Sequence, residues 1–114
     1  MDSMWNPTDA GATIGTRGFE DGIIIRDDEH TDGVRINLEK DATHAPFAIT
    51  CGIYGWMIHT RFFSSLVEAE EEYDKMRAAL AGILAIIPLA GDPEADMKCG
   101  AVCTAISRFV EEFP

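Results

Sequence analysis

The most regular stretch of the chain is Val34-Arg35-Ile36-Asn37-Leu38-Glu39, where apolar and polar residues alternate one for one. A period of two puts alternate side chains on opposite faces of an extended strand. This strand is expected to bury Val34, Ile36 and Leu38 and to turn Arg35, Asn37 and Glu39 towards water or a partner. Upstream, Ile23 and Ile25 fit one strand face, and Ile24 and Arg26 the other. The intervening Asp27-Asp28-Glu29-His30-Thr31-Asp32-Gly33 reads as a polar break. Its Asp32-Gly33 pair suits a hairpin, because both residues tolerate the positive φ of a tight turn.

After a loop at residues 40–46, a third strand places Phe47, Ile49 and Cys51 on one face and Ala48 and Thr50 on the other. Gly52 and Gly55 bracket Ile53-Tyr54 and mark a turn or bulge. A fourth strand over residues 56–63 carries Trp56, Ile58, Thr60 and Phe62 on one side and Met57, His59, Arg61 and Phe63 on the other. Strands this close in sequence pair most simply as an antiparallel meander.

The period then changes to that of a helix. Ser65-Leu66-Val67-Glu68 has the spacing of a capping box. Leu66, Ala69, Tyr73, Met76, Leu80, Ile83 and Ile87 follow at steps of three and four, so the spacing predicts a helix over 65–87 that ends at Pro88. Asp92-Pro93-Glu94 predicts the start of a second helix, with aspartate as cap and proline in the first turn. Its expected stripe is Cys99, Val102, Cys103, Ile106, Val110 and Phe113. Residues 1–18 show no apolar period and read as a flexible N-terminal arm. Residues 19–114 form one α+β domain: an antiparallel meander of about four strands, followed by two helices packed on one face.

Residues 78–87 of the long helix have no polar face. A helix that is apolar all round needs cover all round. Leu80, Ile83, Leu84, Ile86 and Ile87 are therefore the candidate interface of a two-fold homodimer, the commonest symmetric assembly.

Composition narrows the possibilities. At 114 residues, 46% hydrophobic and 25% charged, the chain suits a single globular domain. Twenty acidic against nine basic residues give a net charge of −11, which argues against nucleic acid or an anionic membrane as partner. There is no signal-like start and no apolar run long enough to span a bilayer, so a cytoplasmic protein is expected. Three cysteines, Cys51, Cys99 and Cys103, match neither a disulfide framework nor a metal knuckle, and are expected to be buried as small hydrophobes.

No nucleophile elbow, phosphate loop, dinucleotide fingerprint or zinc-protease motif is present, and no cofactor or metal is called for. The carboxylates around His30 fit no calcium loop and read as a solvated turn. His59 and Arg61 lie two apart on one strand face, in a segment that includes Tyr54 and Trp56. With Arg35 and Thr50 from neighbouring strands, they form a candidate cleft for an anionic ligand.

Three functions follow. The leading one is a non-enzymatic protein–protein interaction module acting as a homodimer. The second is a small-molecule-binding domain or enzyme with its cleft at His59 and Arg61. The third is an acidic, immunity-type inhibitor that masks a basic protein, carried by the acidic run over residues 68–74.

Overall fold

The computed structural model describes residues 4–114, and residues 1–3 of the N-terminal arm lie outside the described residues. The chain is α+β. Five antiparallel strands, β1 (Trp5–Pro7), β2 (Ile23–His30), β3 (Val34–Lys40), β4 (Phe47–Ile53) and β5 (Met57–Phe63), form a meander in sequence order. Helices α1 (Leu66–Leu84) and α2 (Ala95–Glu112) follow. The fifth strand comes from residues 5–7, which pair with residues 28–30 of β2 without any apolar period of their own.

The expected polar break at residues 27–30 is strand. Asp27, Asp28, Glu29 and His30 pair with Asn37, Ile36, Arg35 and Val34. Only residues 31–33 turn, with Gly33 at φ 103°. The register shifts between Ile24 and Arg26, so these two face opposite sides of the sheet instead of sharing one. Arg26 thereby reaches the helix side. Its guanidinium stacks 3.9 Å from the Tyr73 ring centroid and bonds Asp74 at 3.2 Å. Tyr73 is fully buried and donates its hydroxyl to Asp28 at 2.6 Å. Burial, reinforced by that carboxylate, pushes the phenol above its ordinary pKa and keeps the proton in place.

The core lies between the sheet and the helices. Val34, Ile36, Leu38, Ile49, Cys51 and Ile53 meet Ala69, Tyr73, Met76, Leu80 and Ile83 of α1, with Val102 and Phe109 of α2 and Phe113 just beyond it alongside. Ser65 caps α1, accepting the Glu68 amide at 3.3 Å. The helix ends at Leu84, short of the expected residue 87. Pro88 would clash with the carbonyl of Leu84 if helix continued, and the last amides tighten instead onto Ile83 and Leu84 at 3.1 and 3.2 Å. Asp92 does not cap α2. It accepts the Glu94 amide at 2.8 Å and the Lys98 ammonium at 2.6 Å, and the helix starts at Ala95.

The apolar stretch of α1 is better hidden than its letters suggest. Leu80 and Ile83 are core residues, Leu84 and Ile87 pack against the core, and of the five candidate interface residues only Ile86 is exposed. The outward positions are Ala78, Gly82 and Ala85, which present little area. Of the cysteines, only Cys51 is buried; Cys103 is exposed. No helix among the described residues is long and apolar enough to cross a membrane.

Candidate functional site

Register decides which candidate residues meet. Ile36, Cys51 and His59 are cross-strand neighbours, as are Leu38, Ile49 and Arg61, so His59 and Arg61 share the core's side of the sheet. There they hold the end of the chain. His59 Nε2 lies 2.6 Å from the Phe113 carbonyl, with its ring edge-on to Phe109. Arg61 donates through Nε to the Pro114 carbonyl at 3.0 Å and through Nη1 to Glu72 at 2.9 Å, while its guanidinium covers the rings of Phe63 and Phe113. Hydrogen bonding to Arg61 holds the Glu72 carboxyl below its usual range. The pair thus satisfies carbonyls beyond the end of α2, which have no helical partner. Their polar groups are spent on the protein itself, and the cleft expected around them is filled by α2.

Arg35 and Thr50 lie on the opposite face, away from α1 and α2. That face carries a polar row running straight across four strands, Asp27–Asn37–Thr50–Thr60, each residue in register with the next. Asp27 has a fully buried side chain. It accepts Arg35 Nε at 3.0 Å, Arg35 Nη2 at 2.6 Å and the Thr8 hydroxyl at 2.7 Å. The Asp27 hydrogen bonds raise the Arg35 pKa further, so the guanidinium stays charged. At the other end, the hydroxyls of Thr50 and Thr60 lie 3.3 Å apart. Between these two bonded pairs sits Asn37. It is completely buried, and neither its Oδ1 nor its Nδ2 has a hydrogen-bond partner among the described residues.

Residues 8–22, between β1 and β2, strap this face. Glu39, fully buried beside Asn37, accepts the amides of Glu20 at 3.1 Å and Gly22 at 2.9 Å. Gly18 passes so close that a Cβ there would stand 2.4 Å from the Glu39 carboxyl carbon, so a larger residue would have to displace that side chain. The strap covers β2 and β3 and leaves the β4–β5 side open.

Two of the concavities on this side share Arg35, Gly52 and Ile58. One is an open groove of about 840 Å³ at the turn end of the sheet, lined by Glu29, His30, Tyr54 and Trp56 among others. The other is a smaller cavity of about 130 Å³ with Phe19, Asn37 and Thr50 in its wall. The six candidate ligand residues therefore divide. Tyr54, Trp56, Arg35 and Thr50 border these concavities, and His59 and Arg61 lie behind the sheet. Asn37, Phe19 and Ile58 were absent from the sequence-based set. The available signal was the polar residue at the centre of the most regular strand, and it reads as a solvated position unless the strap is known.

The open face is fringed by large exposed apolar side chains: Phe19, Tyr54, Ile58 (82% exposed) and Phe62. Ile58 and Phe62 belong to β5, whose outer edge pairs with no strand among the described residues. The other edge strand, β1, is three residues long and contains Pro7, and both features blunt an edge. β5 is seven residues long, contains no proline or acidic residue, and has its two basic side chains tied inward.

Elsewhere, burial pushes the Cys51 thiol up to about 12, which makes it a poor nucleophile. His30 accepts the Asp32 amide through Nδ1 at 3.1 Å and packs edge-on against Trp5. Among the described residues, no group of three or more His, Cys, Asp or Glu side chains is placed to hold a metal ion. No family model matches this chain, nor does any curated protein or solved structure.

Proposed function

We propose that this chain is a non-enzymatic interaction module that works as a homodimer, joined edge to edge through β5. The observation that carries the reading is the contrast between the two sheet edges. β1 is short and proline-blunted, whereas β5 is long, uncapped by acidic side chains, and flanked by exposed Ile58 and Phe62. An unprotected edge with an apolar fringe is a template for another strand. A two-fold axis at Thr60, the middle of β5, uses all seven residues of the strand. It sets Ile58 of each copy opposite Phe62 of the other on the open face, an apolar cross-strand pair. On the helix face, His59 then meets Arg61, whose charge is already compensated by Glu72 at 2.9 Å.

The interface moves from the end of α1, where the sequence places it, to the sheet edge. The reason is that Leu80 and Ile83 are consumed by the core. Light scattering on a size-exclusion column at micromolar concentration tests the proposal. The wild-type chain should run as a dimer, and Ile58→Lys combined with Phe62→Lys as a folded monomer. Ile86→Lys should remain dimeric. A wild-type monomer, or a dimer that survives the double β5 change, defeats the proposal.

A further inference from the structure

We infer that residues 8–22 are a lid: in the folded chain the strap exchanges as one unit between the closed state and an open state that bares Asp27, Asn37 and Glu39. This goes beyond self-association and rests on different observations. The closed strap gains little from apolar burial. Its large apolar residues, Ile14 and Phe19, are exposed, and only Thr8 and Gly22 are buried along its length. Nor does it fill the space beneath it. Phe19 and Arg35 together line a cavity of about 130 Å³ and a hollow of about 240 Å³.

Closure also carries costs that opening removes. Ala10 sits at φ 56°, in the left-handed region where a Cβ crowds the following carbonyl. The Thr13 hydroxyl and both polar atoms of the Asn37 carboxamide are buried without a hydrogen-bond partner among the described residues. Such groups lose their hydration and receive nothing in exchange. Their atoms have almost no accessible surface, so movement of the strap is what hydrates them. Opposing this is a short set of directional bonds. Glu39 accepts the Glu20 and Gly22 amides, Asp27 accepts the Thr8 hydroxyl, and the Glu20 carbonyl accepts the Thr43 amide. Gly15 donates to the Ile24 carbonyl at 2.8 Å, Ile24 to that of Thr16 at 2.9 Å, and Gly18 to that of Gly22 at 2.9 Å. A segment with few buried apolar contacts and many backbone bonds near solvent opens locally, well below the cost of global unfolding. β1 and β2 pin its two ends, and the core under α1 lies on the other side of the sheet and stays intact. The strap thus gates a polar face that carries two carboxylates and a carboxamide.

Native-state hydrogen exchange on the intact chain, read by NMR, tests the lid. The probes are the amides of Gly15, Gly18, Gly22 and Ile24, set against those of the central strands β3 and β4. The four should share one protection factor, about a hundredfold or more below that of β3 and β4. Low urea should leave theirs unchanged while lowering the others, because local opening exposes little surface. Asn37→Leu keeps the size of the side chain and removes the unmet group. It should raise all four protection factors together, by about tenfold. Ala10→Gly relieves the backbone and should raise them about threefold to tenfold. It carries the test alone if the leucine variant does not fold. A common shift from at least one substitution supports the lid, since Asn37 lies on a different strand from every probe. Four amides that exchange independently, or that are protected as well as β3 and β4, overturn the inference. So does a folded variant set in which no substitution moves them. The strap does not reach the β5 edge, so both variants should keep the oligomeric state of the wild type, and the two proposals fail separately.

Discussion

The two faces of the sheet are built from the same alternating strands and end up with different physics. On the helix face, Ile36, Leu38 and Ile49 are wholly buried under α1, and the polar intruders His59 and Arg61 are satisfied by the end of α2. On the other face, Asp27, Asn37 and Glu39 are as well buried as core residues, yet they are polar and are covered by a strap held through hydrogen bonds. Apolar burial is non-directional and scales with area, so the helix face tolerates irregularity. A polar layer stands or falls by whether each group is met. That is why the unmet buried groups among the described residues, Asn37 and the Thr13 hydroxyl, stand out on the strap side. It is also why a pair such as His59 and Arg61, striking in the sequence, is mechanically occupied on the other.

Four measurements sharpen or break this contrast, taken from largest effect to smallest. Leu80→Ala removes a fully buried side chain beneath α1 and should lower unfolding free energy by about 2–5 kcal/mol in urea titration. A loss below about 1 kcal/mol, the range of a surface change, would mean that the helix layer is not the main source of stability. Glu39→Ala strands the amides of Glu20 and Gly22 and should cost about 2 kcal/mol. The loss should be regional: hydrogen exchange should quicken at Glu20 and Gly22 while α1 keeps its protection. Unchanged exchange there would show that the strap is held by something other than Glu39.

The third measurement follows acid. Arg61 depresses the folded-state pKa of Glu72 below the ordinary glutamate value of about 4.3. The unfolded chain thus binds that proton more readily. The pair's contribution is complete above the ordinary value and fades as pH falls through the depressed one. Glu72→Gln should be less stable than wild type near neutrality, and the two urea midpoints should converge in acid. A constant gap would remove the ion pair as its cause. The smallest effect is expected from Phe62→Ser, on the open face, which should change monomer stability by no more than about 0.5 kcal/mol while weakening self-association. Added salt should strengthen the wild-type dimer, because two copies each carrying −11 repel.

Much of the architecture was legible in the letters. Period two marked the paired β3 and β4, the switch to steps of three and four marked α1, and Ser65 and Pro88 bounded that helix region. β1 was not, because three residues cannot show a period and its pairing depends on β2 being already in place. The bulge between Ile24 and Arg26 was equally hidden, and it decides which side Arg26 serves. For the candidate site, alternation put Arg35 and Thr50 on one face correctly, but it could not place His59 and Arg61 on the other side relative to them.

Sequence alone therefore determined the elements and which residues of a strand travel together, because side-chain alternation and helical spacing are properties of a few neighbouring residues. The tertiary structure decided what each face meets. Asn37 has the same letters around it whether its face is wet or strapped. Only the passage of residues 8–22 across the sheet, held by Glu39 and Asp27, converts a solvent-facing amide into a buried one without a hydrogen-bond partner among the described residues.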